Sequence, residues 1–266
     1  METRAGTRAG GAADRTGTAT FEHIPIIWVL PAETPASPRL VIWLTDGLGP
    51  KEATLPMLER LASAGFAGVS FDSPQRGSRA PESEEAIGPR AFANWPNVVW
   101  PAIAHGALET LRVIDWAARE FDLKPPYAVG GVSLGGDIAI AAAGLDTRIG
   151  CVASIVGTPD WRRPGMHVAG ELVPAGDPDS YARYLYDRIN PMTNLRSYSH
   201  RPAMTFECGA DDDHVPPDGA LRFQAALAPI YGESGALLRV NLHPGVRHQD
   251  APAMLDNCVA WLKAHA

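Results

Sequence analysis

Three groups of residues in this 266-residue chain have the types and spacing for covalent chemistry. The first is Ser133, centred in Gly131-Val132-Ser133-Leu134-Gly135 between an apolar, β-prone run and a small-residue helical run that continues to Ile140. A strand-to-helix turn forces strained backbone angles on its central residue, and glycines two before and two after relieve the crowding, so the pattern reads as a nucleophile elbow. A serine hydroxyl is a poor nucleophile until a histidine takes its proton, and a carboxylate must hold that histidine in the right tautomer. The second group, Gly209-Ala210-Asp211-Asp212-Asp213-His214-Val215-Pro216, offers three carboxylates. The third, His243-Pro244-Gly245-Val246-Arg247-His248, offers two histidines. On residue type alone Asp211, Asp212 and Asp213 are rival acids, and His243 and His248 rival bases.

Groups so far apart in sequence meet only if the fold delivers them to one edge. Apolar strand-like runs occur at Phe21 to Leu30, Arg39 to Leu44, Phe66 to Phe71, up to Ser133, Ile149 to Val156, Pro202 to Cys208 and Ala236 to Leu242. Helical periodicity marks Glu52 to Ala64, Ala102 to Phe121, Gly135 to Leu145, Asp218 to Ala228 and Pro252 to Ala264. Strands alternating with helices predict an α/β fold with a mostly parallel sheet, right-handed crossovers and helices on both faces. In such a sheet, residues just past the carboxyl ends of the strands converge, and all three groups sit at such ends.

Two segments interrupt the alternation. Asp72 to Trp100 is long for a plain connector and leaves the same sheet edge as the elbow. Residues 157–200 read as a lid-like insertion, aromatic-rich for a surface segment. Trp95, Trp100, Trp161 and Tyr184 from these segments are candidate substrate-binding residues, against the alternative that they pack lid to core. Residues 1–18, with a tandem Thr-Arg-Ala-Gly, read as a flexible tail, and residues 19–266 as one domain.

Composition narrows the partners. The net charge of −7, with scattered arginines, provides no basic footprint for nucleic acid or anionic lipid. Only Lys51, Lys124 and Lys263 among the 23 basic residues are lysines, a bias associated with GC-rich bacterial genomes. Cys151, Cys208 and Cys258 are an odd count at wide spacing and read as buried thiols. With neither a signal-peptide pattern nor an apolar run of about 18 residues, the expectation is a cytoplasmic protein. Neither a metal motif nor a phosphate-cradling glycine loop is apparent, so no cofactor is expected.

The order Ser, Asp, His at the ends of strands resembles the α/β-hydrolase superfamily, and more narrowly its dienelactone-hydrolase-like and prolyl-oligopeptidase-like serine esterases, over roughly residues 38–264. The resemblance implies the α/β-hydrolase fold. It implies Asp212 as the acid, the last place of Gly-x-x-Asp before x-x-Val-Pro, and His248 as the base after a short glycine turn. It implies an oxyanion hole from the backbone N–H of Leu134 and, by the pattern of a His-Gly-x loop after an early strand, of Leu48. Here the sequence departs from the family, since Asp46 stands where a histidine is usual and must point away or be paired with a cation such as Lys51. A serine at position 133, where true dienelactone hydrolases have cysteine, favours ester chemistry.

The function implied is hydrolysis of small to medium carboxylic esters through an acyl-enzyme, with a small-molecule ester as partner. Peptidase, amidase or acyltransferase activity from the same triad, or a non-catalytic binding protein with a hydrolase shell, are the alternatives. Homo-oligomerisation is left open.

Overall fold

The computed structural model describes residues 15–32, 38–47, 49–174 and 176–266. Eight strands form the central sheet: β1 (Thr16–Phe21), β2 (Ile24–Val29), β3 (Arg39–Leu44), β4 (Phe66–Phe71), β5 (Tyr127–Val132), β6 (Ile149–Ile155), β9 (Ala203–Gly209) and β10 (Leu238–His243). Between β6 and β9, the two-residue strands β7 (His167–Val168) and β8 (Glu171–Leu172) make a separate hairpin. The sheet order is β1-β2-β4-β3-β5-β6-β9-β10. Pairing is antiparallel from β1 through β2 to β4 and parallel across the rest. Strand order reverses direction at β3 and β5, which opens a crevice at their carboxyl ends.

The helices are α1 (Leu55–Ser63), α2 (Glu84–Ala93), α3 (Trp95–Glu120), α4 (Leu134–Leu145), α5 (Ser180–Ile189), α6 (Asp218–Tyr231) and α7 (Pro252–His265). Alternation along β3 shows how they are shared between the faces. Leu40, Ile42 and Leu44 join a core with residues of α3, α4, α5 and α6, while Val41 and Trp43 join one with residues of α1 and α7. A strand buried on both faces reads as the continuous apolar run seen here, not as an alternation. Helix α4 is almost wholly buried because its glycines and alanines let it lie close to its neighbours; a Cβ on Gly106 of α3 would come within 2.7 Å of Ile138.

The architecture is the expected α/β-hydrolase one, with local corrections. The early run Phe21 to Leu30 is the second half of a hairpin, and β1 starts at Thr16, inside the segment read as a tail; residues 1–14 lie outside the described residues. The segment 72–100 is not a loop throughout. It holds α2, and α3 starts at Trp95, seven residues before the predicted Ala102, and runs on through Pro101. Burial of Trp95, Val99 and Trp100 makes those first turns favourable despite the proline.

All three cysteines are buried free thiols. Burial pushes Cys151 and Cys208 up to about 12, so both stay protonated. Among the described residues no helix is long and apolar enough to cross a membrane.

Candidate active site

The elbow is built by close backbone approach. Ser133 follows β5 directly and has φ 51° and ψ −117°, a strained combination for a residue with a side chain. A Cβ on Gly131 would lie 2.6 Å from the Leu44 carbonyl, and one on Gly135 would lie 2.4 Å from the Thr45 carbonyl. No larger residue fits at either place, so β5 and α4 can meet at this angle only with glycine on both sides of the serine. The consequence is a hydroxyl at the crevice, 9% exposed at its residue.

Ser133 Oγ lies 2.9 Å from His248 Nε2, and His248 Nδ1 lies 2.8 Å from Asp212 Oδ2. The second carboxylate oxygen, Asp212 Oδ1, accepts from the N–H groups of His214 at 2.9 Å and Val215 at 2.8 Å. With one oxygen held by the turn, the other is aimed at the imidazole. The loops carrying acid and base are tied together, since Ala210 N–H donates to the His243 carbonyl and Asp211 N–H to the Val246 carbonyl.

Two of the rivals, Asp213 and His243, are engaged elsewhere. Asp213 pairs with Arg247 at 2.7 Å on the outside. His243 Nε2 meets the buried Glu207 at 2.7 Å, and Glu207 also accepts from Thr205, Asn241 and Asn257. This joins β9, β10 and α7 beneath the loops. Of the expected oxyanion donors, Leu134 opens α4 beside Ser133, and Leu48 lies outside the described residues. Asp46 Oδ1 accepts from Gly49 N–H at 2.9 Å, and Lys51 Nζ reaches Glu52 and Asp72.

A cavity of about 220 Å³ opens at Ser133. Ile87, Ala91 and Phe92 of α2 with Trp95 and Val99 of α3 form its apolar wall; Arg76, Arg163 and His214 bring polar groups to it. Of the four aromatic candidates only Trp95 lines it. Trp100 and Trp161 are core: the indole N–H groups of Trp95 and Trp100 both donate to the Trp161 carbonyl, and Trp100 stacks on Tyr186 at 4.3 Å. Tyr184 is 58% exposed beneath Arg188, because α5 turns Ala182, Leu185 and Tyr186 inward and leaves Tyr184 on the other face.

Sequence reasoning placed none of Arg76, Arg163 and His214 at the cavity. The His214 ring packs edge-on against His248 with centroids 4.6 Å apart and against Phe92 at 5.4 Å. Burial, with Arg163 and His248 adding, lowers its pKa to about 4. Arg163 donates to Asp137 and lies 4.7 Å from the Trp95 ring. Neither arginine sits in a periodic pattern, so sequence carried no signal for them. Among the described residues no cluster of three His, Cys, Asp or Glu side chains could hold a metal ion.

A strained serine at a strand-to-helix turn after β5, with a carboxylate beyond the end of β9 and a histidine beyond the end of β10 in a mostly parallel sheet, is the arrangement of a hydrolase of the α/β type. Residues 109–266 match the prolyl oligopeptidase family, and the chain belongs to that family. It is 31% identical over 215 residues to the esterase YjfP of Escherichia coli, covering 77% of this chain and 80% of the relative. The crystal structure of TT1662 from Thermus thermophilus is similar at a TM-score of 0.72 and 25% identity, covering 94% of this chain and 97% of that one. A putative dienelactone hydrolase from Klebsiella pneumoniae shares the fold at a TM-score of 0.62 and 15% identity, covering 92% and 97%.

Proposed function

We propose that this protein hydrolyses small to medium carboxylic esters through an acyl-enzyme on Ser133. The observation that carries the reading is the hydrogen-bonded line from Ser133 Oγ through the His248 ring to Asp212. His248 Nε2 takes the hydroxyl proton as Oγ attacks the ester carbonyl, and returns it to the departing alkoxide. Water then attacks the acyl-serine with the same histidine as base. Asp212 holds Nδ1–H and stabilises the imidazolium that forms in each step. The carbonyl oxygen becomes an oxyanion, met by Leu134 N–H and by a second donor that the sequence pattern puts at Leu48; each such donor contributes about 3 kcal/mol in comparable sites. The esterase relative supports ester over other acyl substrates, and the small apolar wall supports a short acyl chain.

The test is kcat/KM on p-nitrophenyl esters from acetate to laurate, with Ser133→Ala as blank and a fluorophosphonate probe as a second readout. An optimum at short chains, with turnover and labelling both abolished by the substitution, is the expected result. Unchanged turnover in Ser133→Ala excludes the mechanism. Membership of the prolyl oligopeptidase family favours amide cleavage as a second reading, which turnover of short peptide p-nitroanilides above the best ester would establish.

A further inference from the structure

The hairpin β7–β8 lies directly on the loop that carries the acid. Val168 pairs with Glu171 and His167 with Leu172, so the turn between the strands is Ala169-Gly170 alone, with φ 51° and 85°. Two positive φ values match the twist of a two-residue hairpin turn, at a cost in strain for the alanine. The hairpin makes a reciprocal pair of contacts with the acid loop. His167 N–H donates to the Asp213 carbonyl at 2.7 Å, and the His167 carbonyl lies 3.3 Å from His214 Nδ1. A carbonyl only accepts, so Nδ1 carries the hydrogen of the neutral imidazole and Nε2 is left with a bare lone pair. Burial, with the charges of Arg163 and His248 adding to it, lowers the His214 pKa to about 4, so at neutral pH that lone pair stays an acceptor.

Nε2 is bonded to none of the described residues, and the ring lines the cavity at Ser133. It packs edge-on against His248 with centroids 4.6 Å apart, and against Phe92 at 5.4 Å. The other polar side chains of the cavity differ in kind. Arg76 and Arg163 offer N–H donors only, and Asp46 Oδ1 is taken by Gly49 N–H. A neutral acceptor therefore stands directly beside the catalytic base.

Attack by Ser133 does not need such an acceptor, because the serine has a single O–H and gives it to His248 Nε2. Deacylation does need one. The attacking water has two O–H bonds, of which one is directed at His248. With no partner for the second, the water turns about the first hydrogen bond and its lone pair is not held toward the acyl carbon. The unmet donor also costs free energy against an apolar wall. We propose that His214 is a further catalytic residue, its Nε2 accepting a hydrogen bond from the water that attacks the acyl-enzyme. This rests on the serine-hydrolase reading above. The water oxygen bonds to the acyl carbon while one proton passes to His248 Nε2. The tetrahedral intermediate then breaks its bond to Ser133 Oγ, which recovers that proton, and the second hydrogen leaves on the carboxylic acid product. His214 holds this hydrogen without taking it.

The experiment compares wild type, His214→Phe and His214→Gln on p-nitrophenyl acetate by stopped flow, with mass spectrometry of the quenched protein. The burst of p-nitrophenol reports acylation and the later steady rate reports deacylation. In His214→Phe the burst rate is expected within about threefold of wild type and the steady rate lower by about tenfold or more, as for a misoriented nucleophile, with acetyl-Ser133 accumulating. His214→Gln keeps a donor for the His167 carbonyl and an acceptor for water, and recovers part of the steady rate. Added methanol gives a second readout, which reports deacylation whichever step limits turnover. Methanol has one O–H, so its attack needs only His248, and the ratio of methyl acetate to acetate is expected to rise in His214→Phe. A burst that slows in proportion to the steady rate overturns the proposal, because a role confined to shaping the site around His248 affects both steps alike. So does a product ratio that stays at its wild-type value. Circular dichroism and thermal melts establish that each variant is folded, and His214→Met takes the place of the phenylalanine variant if that one is not. Wild-type protein silent on every ester and unlabelled by fluorophosphonate removes the hydrolase reading and this inference with it; active wild type with unaffected variants removes the inference alone.

Discussion

Arg163, from the segment after β6, forms an ion pair with Asp137, one helical turn beyond Ser133 on α4, and both side chains are almost completely buried. Asp137 Oδ1 also accepts from Thr158 N–H at 2.6 Å, so its carboxylate fastens the start of the 157–200 segment to the nucleophile helix. Burial pushes the Asp137 carboxyl upward against the pull of Arg163. Trp95 and Trp100 pin the same segment through the Trp161 carbonyl. The stretch read as a lid is anchored where it passes Ser133, and Arg163 forms part of the cavity wall there.

Breaking this pair from one side leaves a buried charge without its partner. Arg163→Met is expected to destabilise the protein by about 3–5 kcal/mol, a fall in Tm of roughly 10 °C. The double variant Arg163→Met with Asp137→Asn removes both charges and keeps an acceptor for Thr158 N–H. It should melt several degrees above the single Arg163→Met variant, and thermal melts of the four members of the cycle measure the coupling. Additive losses would show that the two charges stabilise nothing jointly.

The acid is separable from its rivals by kinetics. Asp212→Asn keeps the hydrogen bonds to the turn but offers His248 the wrong partner, and kcat is expected to fall by about 10⁴. Asp211→Asn and Asp213→Asn should stay within about threefold of wild type, because neither carboxylate reaches His248. Comparable losses in Asp213→Asn and Asp212→Asn would move the acid to the neighbouring position.

Local sequence made the elbow and the two loops legible for a physical reason. The steric demands of the turn at Ser133 are met within five residues, and the acid and base follow strands whose apolar runs are unmistakable. Arg76 and Arg163 carry no such signature. Their burial depends on a left-handed turn and on cover from α3 and α4, neither of which leaves a period in the chain. Trp100, Trp161 and Tyr184 do not line the cavity for a related reason: an aromatic in a connecting segment shows that something is covered, not which side of the helix covers it. Trp95 and Trp100 are five residues apart on α3 and so share no face, and only Trp95 reaches the cavity. The expected helix start at Ala102 falls inside α3, one residue after Pro101.

Acyl-chain selectivity should follow the wall that α2 provides. Ile87 is buried and lines the cavity, so Ile87→Ala enlarges it, and the optimum in the p-nitrophenyl series is expected to move to an acyl chain longer by two or more carbons. Tyr184→Ala, on the outer face of α5, should leave the profile where it is. A shifted profile in Tyr184→Ala would return the exposed face of α5 to the substrate path.

His214 makes stability depend on pH in a defined window. Its pKa is about 4 in the folded protein against an ordinary 6.5, with burial the largest cause and the charges of Arg163 and His248 adding to it. Between those values the unfolded chain takes up a proton that the folded chain refuses, so stability falls as pH drops from about 6.5 toward 4. Above 6.5 the contribution is constant, and integrated across the window it amounts to about 3 kcal/mol. His214→Phe keeps the edge contacts to Phe92 and His248 while removing the titrating group. Its melting temperature should fall less steeply than that of wild type between pH 6.5 and 4.5, whatever its absolute value at pH 7. Parallel slopes across that range would mean that the His214 ring accepts a proton in the folded protein, through water entering beside His248.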